Sequence, residues 1–178
     1  MGADKQRPMQ HRTAGRTGAI QHLHPRFQYS KVELESRYEI HNENYSKIIN
    51  IEAETMLEMS KKDILPAASK YATKLAETIG LKKAACAEAD TTYESEMLKK
   101  VSSLTGAIYA KTSALESAVT EAKKVEAAGD SGKTAMFFRE KVFAAMGELR
   151  AVADELEVVT PKELWPFPSY GDLLYSVR

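Results

Sequence analysis

The chain has 178 residues, of which 43% are hydrophobic and 28% are charged, as is usual for a globular or helical protein with a core of its own. Its 25 basic residues balance its 25 acidic residues, so it lacks the basic excess of proteins that bind nucleic acid or anionic membranes. No apolar run approaches the ~20 residues that a transmembrane helix needs. The single cysteine, Cys86, excludes an intrachain disulfide and fits a reducing compartment. We therefore predict a cytoplasmic protein that binds neither nucleic acid nor membrane.

Residues 1–28 differ in charge from the rest of the chain, with five basic residues and one acidic residue for a net charge of +4. They contain few large apolar residues, and we interpret them as a disordered basic leader. A cloning, gene-model or linker remnant is one explanation; a nucleic-acid or membrane arm and a transit peptide are the alternatives. The spacing of His11, His22 and His24 matches no tetrahedral metal site.

A long first helix is predicted to begin after Ser30. Ser30 and Glu33 form the S-x-x-E pattern of a capping box, and no glycine or proline occurs from Lys31 to Leu65. The stretch predicts one helix of roughly 34 residues. Because Pro66 cannot donate a helical hydrogen bond, we expect a kink there, after which the pattern resumes and is loosened by Gly80. The apolar positions of this helix are Tyr38, Tyr45, Ile48, Ile49, Met56, Met59, Ile64, Tyr71, Leu75 and Ile79.

Two further helices follow small, polar connectors at residues 84–92 and 129–132. The second helix is predicted to begin after an N-cap at Thr91 or Thr92 and to end near Ala128; the third spans about 131–159. Both repeat apolar residues at steps of three and four, a pattern typical of helices that pack on partner helices. The second seam comprises Met97, Val101, Leu104, Ile108, Leu115, Ala118, Ala122 and Val125, broken at Lys111; the third comprises Ala135, Phe138, Val142, Ala145, Leu149, Val152 and Leu156, widened by Phe137, Phe143 and Met146.

These segments predict an all-α fold, a long-helix antiparallel bundle over residues 29–160 with three helices, or four rods if the first is kinked. Residues 161–178 are predicted to form an extended tail, because proline recurs too often there for a helix. The tail is rich in aromatic side chains, so we expect it to dock on a surface rather than to move freely. The residues predicted to dock on a partner are Trp165, Pro166, Phe167, Pro168 and Tyr170.

No catalytic, cofactor-binding or metal-binding residue is predicted. Residues 127–134, AAGDSGKT, resemble the end of a phosphate-binding loop, but Ala127 replaces the first glycine and a helix rather than a strand precedes it. A bundle di-iron site needs Glu-x-x-His, and the residue three before His41 is Tyr38. Glu52 and Glu54 are interpreted as part of a solvated helix face, and Cys86 as a small connector residue.

Two segments resemble the C-terminal region of type III glutamine synthetases. The first, residues 37–67, reads RYEIHNENYSKIINIEAETMLEMSKKDILPA; the second joins FAAMGELRAVADEL at 143–156 to WPFPSYGDLL at 165–174. The resemblance covers about residues 32–178 and not 1–28. It implies a parent reaction that joins glutamate and ammonia with ATP and Mg²⁺, in β-grasp and catalytic domains upstream of this region. No catalytic residue or cofactor contact maps onto this chain, so we predict that it is inactive alone.

Three hypotheses follow from this resemblance. The first is a non-catalytic structural and oligomerisation domain, whose partners are the synthetase catalytic domain or neighbouring subunits of a homo-oligomer. The second is a stand-alone helical adaptor that binds unrelated partner helices. The third is an enzyme in its own right. The sequence leaves open whether the chain is a fragment, a split gene product or an independent copy.

Overall fold

The computed structural model describes residues 29–168 and 170–175, without the side chain of Tyr170. These residues form helices joined by turns, with no strand among them, so the all-α prediction is confirmed. The chain divides into two compact units, Met1–Arg37 and Tyr38–Arg178. In the described ranges, no helix is both long and apolar enough to cross a membrane. The helices are α1 (Lys31–Met59), π1 (a π-helical turn, Ser60–Ile64), α2 (Leu65–Ala85), α3 (Thr92–Glu126), α4 (Ser131–Phe137), π2 (a second π-helical turn, Phe138–Val142), α5 (Phe143–Val159) and α6 (Tyr170–Leu174).

The capping box predicted at the start of α1 is confirmed. The Glu33 amide donates to Ser30 Oγ at 3.2 Å, and the Ser30 amide donates to Glu33 Oε2 at 3.4 Å. Two of the amides left free at a helix start are thereby satisfied. Nearby, the Arg37 guanidinium lies 4.2 Å from the centre of the Tyr29 ring, a cation–π contact.

Helices α1, π1 and α2 follow one another without a break from Lys31 to Ala85. A kink was expected at Pro66; the irregular part of the helix is instead the π turn π1, which ends just before Leu65 and Pro66. In π1, the Leu65 amide donates to Ser60 O, five residues back instead of four. Proline has no amide hydrogen, and its ring crowds the carbonyl four residues before it. A π turn at that point changes the local carbonyl geometry while the helix continues. Gly80 does not end α2, which runs on to Ala85.

Helices α1, π1 and α2 form the first rod, which runs antiparallel to α3. Residues late in the first rod contact residues early in α3, and earlier residues of the rod contact later residues of α3. Lys82 pairs with Glu94 at 2.5 Å, Lys61 with Glu116 at 2.8 Å, and Ser60 Oγ lies 2.7 Å from Thr112 Oγ1. The seam predicted for α3 is interrupted at Lys111, and the neighbouring Thr112 takes that place in the core. The buried side chains of α3 are those of Val101, Ile108, Thr112, Leu115, Val119 and Ala122.

The third rod, α4–π2–α5, turns back along α3 after a tight connector. Gly129 adopts φ +80°, a conformation that only glycine takes readily, and α4 begins after Asp130. Lys111 on α3 then pairs with Glu148 on α5 at 2.7 Å. The extra residue in π2 shifts the helical register, so Met146 is buried whereas Phe143 is 55% exposed. The prediction that Phe143 widens the buried face is therefore wrong.

Helix α1 also buries a different set of residues from the one predicted. Its buried side chains are those of Ser46, Ile49 and Ala53, with Met56 and Leu57 packed at the edge of the core. Three predicted apolar positions, Tyr38, Tyr45 and Ile48, are exposed. The apolar residues of this helix fall on more than one face, and the sequence pattern alone did not decide which face the bundle would cover.

The tail was predicted to be extended, but only part of it is. Lys162–Leu164 form a turn, the stretch around Pro166 and Pro168 is irregular, and Tyr170–Leu174 form the short helix α6. The prolines stop α5 as expected, but no proline occurs between Pro168 and the end of α6, so one helical turn can form there. Lys162 pairs with Asp172 at 2.5 Å across the turn.

The buried Ser60–Thr112 contact yields a stability prediction. Thr112 Oγ1 donates to Ile108 O at 2.8 Å, so the Ser60 hydroxyl is the donor to Thr112 Oγ1. Thr112→Val removes that acceptor and leaves a buried donor unpaired, which should cost about 1–3 kcal/mol of unfolding free energy. Ser60→Ala leaves no donor stranded and should cost less. Urea unfolding followed by circular dichroism checks this; a double variant as unstable as the sum of both single variants would contradict the coupling.

A second prediction concerns acid pH. Hydrogen bonds from Thr92 hold the pKa of Asp90 below its usual value of 3.8, and hydrogen bonds from Lys133 do the same for Asp130. Lowered pKa values in the folded state mean that these carboxylates stabilise the fold above the unfolded pKa, and that this stability is lost as the pH falls through the folded values. The midpoint temperature of thermal unfolding should therefore decrease at pH values below about 4. In Asp90→Asn/Asp130→Asn that acid-side fall should be smaller; an unchanged fall would contradict the assignment.

Candidate docking site

The tail returns to the bundle through a turn that follows α5. The Thr160 hydroxyl donates to Leu156 O at 2.7 Å, and Pro161 then blocks further helix. The amides of Leu164 and Trp165 both donate to Pro161 O, at 2.9 and 3.1 Å. These hydrogen bonds reverse the chain and direct its apolar side chains towards the bundle.

Trp165 and Phe167 are partly buried and pack against the hydrophobic core, as does Leu164. The two rings meet edge to face, with centroids 6.0 Å apart and an interplanar angle of 77°, an arrangement that aromatic pairs favour. Pro166 and Pro168 are exposed, and the side chain of Tyr170 lies outside the described residues. The structure thus brings two of the five predicted docking residues onto the chain's own core. Docking of this segment on a partner stays a prediction.

The connector that resembles a phosphate-binding loop is built for another purpose. The Lys133 amide donates to Asp130 Oδ1 at 3.0 Å, and Lys133 Nζ pairs with Asp130 Oδ2 at 3.1 Å. A carboxylate therefore occupies the start of α4 and also binds the lysine that a phosphate would need. The segment acts as a helix connector, as the sequence favoured.

Several acidic residues of the bundle are held in ion pairs that lie apart from one another. Glu54 lies 2.9 Å from Lys123 of α3, and this hydrogen bond lowers the pKa of Glu54, whereas Glu52 is exposed. Glu54 has no basic residue at helical spacing on α1, and its partner Lys123 comes from the neighbouring helix. His41 and Cys86 are exposed. Within residues 29–168 and 170–175, no group of three His, Cys, Asp or Glu side chains could hold a metal ion.

One surface was missed at the sequence level: an exposed row of isoleucines on α1, which we call the isoleucine face. It consists of Ile40, Ile48 and Ile51, which are 53%, 56% and 63% exposed. Only Ile48 was singled out in the sequence, and it was assigned to the core. The steps of eight and three between these residues are the signal that places them on one side of a helix.

Comparison with known proteins places this bundle among synthetase sequences. Residues 18–83 match the family model described as the glutamine synthetase C-terminal domain. The chain is 35% identical over 150 residues to the glutamine synthetase of Butyrivibrio fibrisolvens, an alignment that covers 84% of this chain and 21% of that protein. It is 28% identical over 153 residues to the glutamine synthetase of Bacteroides fragilis strain YCH46, covering 83% of this chain and 20% of the relative.

A third relative is named as a type-3 glutamine synthetase. The chain is 26% identical over 147 residues to the type-3 glutamine synthetase of Dictyostelium discoideum, covering 82% of this chain and 20% of that protein. The resemblance to the C-terminal region of type III glutamine synthetases is confirmed. The chain spans about one fifth of the length of these relatives. The family match begins at residue 18, so the interpretation that the resemblance excludes all of residues 1–28 is wrong.

Because Trp165 packs on the chain's own core, its loss should destabilise the isolated bundle. Trp165→Ala removes a large, partly buried ring and should lower the unfolding free energy by about 1–3 kcal/mol, less than for a fully buried aromatic residue. Pro168→Ala, at the exposed position directly after Phe167, is the control and should change stability little. Urea unfolding of the purified chain measures both. Equal midpoints for Trp165→Ala and the unaltered chain would show that the ring adds no stability to the bundle.

Proposed function

We propose that this chain is a non-catalytic structural domain of a type III glutamine synthetase. The observation that carries the proposal is the match of residues 18–83 to the glutamine synthetase C-terminal domain, together with relatives that align with more than four fifths of the chain. Its role would be to brace the catalytic domain or neighbouring subunits of a homo-oligomer in the cytoplasm. ATP and Mg²⁺ would bind in the upstream domains of the parent enzyme.

The chemistry of the bundle supports a structural role. Three interhelical ion pairs, Lys61–Glu116, Lys111–Glu148 and Lys123–Glu54, hold their carboxylates apart on different parts of the bundle. Glutamate, ammonia and ATP need converging acids and a bound divalent cation to react. A rigid helical scaffold supplies neither and is well suited to fixing the position of a neighbouring domain.

The aromatic–proline tail would have two roles under this proposal. Trp165 and Phe167 would anchor the tail to its own bundle, and Pro166 and Pro168 would present their exposed rings to a partner. The alternative function is a stand-alone adaptor whose partners are unrelated helices. The exposed apolar residues of α1 would serve that function equally well, so identification of the bound protein separates the two.

The first test is enzymatic. The purified chain, supplied with glutamate, ammonia, ATP and Mg²⁺, should form no glutamine above the rate without protein, because the acids that the reaction needs lie in the upstream domains. A coupled assay for phosphate release measures this, and turnover that scales with chain concentration would refute the proposal.

The second test is association. The tagged chain, expressed in the cells that make it, should recover glutamine synthetase subunits, identified by mass spectrometry. Pro166→Ala/Pro168→Ala should weaken this recovery while circular dichroism shows unchanged helicity. Recovery of one other helical protein without any synthetase subunit would favour the adaptor instead.

A further inference from the structure

Helix α1 is apolar on two opposite sides. Ile49 and Ala53 face the core and are 6% and 0% exposed, whereas Ile51 lies two residues from each. Two residues correspond to about 200° around an α-helix, so Ile51 points away from the bundle. A helix that lies between a core and water is polar on its outer side. An apolar outer side therefore indicates that a second surface covers it.

The isoleucine face is part of one stripe along α1 that also contains two polar residues. Asn44 and Thr55 are exposed and fall into the same row, so that the row advances by four, four, three and four residues from Ile40 to Thr55. Such steps keep side chains on one line along a helix. This is the pattern by which an amphipathic helix lies in an apolar groove.

The residues around the stripe are strongly acidic. Residues 38–59 contain five glutamates against Lys47 alone, a net charge of −4. Glu54 and Glu58 are paired with Lys123 and Lys62. Within the described part of the chain, no basic side chain lies within ion-pair distance of Glu39 or Glu52. A groove that accepts this helix would therefore carry basic residues at its rim.

Charge and area both argue against a second copy of this chain as the occupant. With Lys62 and Lys123 counted beside the glutamates that they pair with, the net charge around the stripe is −2. Two α1 helices would therefore bring like charges together, which is unfavourable across an interface. The three half-exposed isoleucines offer roughly 300 Å² of apolar surface, compared with about 800 Å² per partner in a standard stable interface. A face this small holds a partner only when that partner is already kept nearby, for example on the same polypeptide at an effective millimolar concentration.

In the relatives, the rest of the polypeptide meets that condition. In the relatives, the matched region accounts for 20–21% of the polypeptide, so about four fifths of each subunit is covalently joined to it. The family match at 18–83 contains the whole of α1, π1 and nearly all of α2, but none of α3 to α5. We infer that the isoleucine face docks into an apolar groove with a basic rim on the remainder of a type III glutamine synthetase subunit. This inference rests on the proposed function.

A chimeric synthetase tests this inference. The full 178-residue chain replaces the segment that it matches in the Butyrivibrio fibrisolvens enzyme, and the variants Ile48→Glu/Ile51→Glu and Val158→Glu are compared. Val158 is 86% exposed on α5 and lies outside the family match, which makes Val158→Glu the control. Glutamate favours helix at least as well as isoleucine or valine, so neither variant should unfold its helix. Sedimentation velocity measures assembly, and circular dichroism of the isolated chain variants checks folding.

The expected result is that the unaltered and Val158→Glu chimeras assemble alike, whereas Ile48→Glu/Ile51→Glu lowers the assembled fraction at least tenfold. Equal assembly of all three would overturn the docking inference and leave the proposed function intact. A chimera that never assembles would contradict the proposed function itself. A stable dimer of the isolated chain that Ile48→Glu/Ile51→Glu dissociates would make a second copy the occupant and overturn the inference.

A charge variant tests the basic rim separately. Glu52→Lys adds a positive charge beside the stripe without changing an isoleucine, and it should lower the assembled fraction at low salt more than at high salt. Glu157→Lys, an exposed position on α5, is the control and should behave like the unaltered chimera. A Glu52→Lys chimera that assembles equally well at both salt concentrations would overturn the assignment of a basic groove.

Discussion

The burial of α3 between the first rod and α5 is the interaction on which this bundle depends. Val101, Ile108, Leu115 and Ala122 recur at intervals of seven, and all four are fully buried. Burial of apolar surface stabilises the fold by about 25 cal/mol per Å². A strict seven-residue repeat keeps the apolar side chains on one side of the helix along its whole length. The first rod contributes the complementary residues Tyr71 and Leu75, and the third rod contributes Phe138 and Leu149. The ion pairs Lys61–Glu116, Lys111–Glu148 and Lys123–Glu54 lie at exposed edges between rods, where they fix the register more than they add stability.

The two π turns reconcile this packing with local sequence constraints. The turn before Pro66 lets one continuous rod pass a residue that would otherwise interrupt it, and its first residue, Ser60, makes the buried hydroxyl contact with Thr112. The turn at Phe138–Val142 moves Met146 into the core and Phe143 out of it. In each case, one extra residue in a turn changes which side chains face α3.

The same architecture supports the structural role proposed for the bundle. Glu148 and Glu54 pair with lysines of a neighbouring rod, and in the connector that resembles a phosphate-binding loop the Asp130 carboxylate occupies the helix start. What remains on the surface of α1 is apolar side chains within an acidic surround. The proposed structural role needs a packed core and an exposed apolar surface, and the described residues supply the buried core and the exposed isoleucines of α1.

The sequence by itself determined the all-α class, the capping box at Ser30, the connectors and the seam of α3, because each depends on residues close together along the chain. It also carried the resemblance to type III glutamine synthetases, through residues 37–67 and 165–174. Only the tertiary structure decided that Ile49 rather than Ile48 enters the core, that Phe143 points outward and that Trp165 folds back onto its own bundle. Those outcomes depend on which rod covers which face and on one-residue register shifts at the π turns. Local spacing does not encode them, since apolar residues on two sides of a helix satisfy the same pattern.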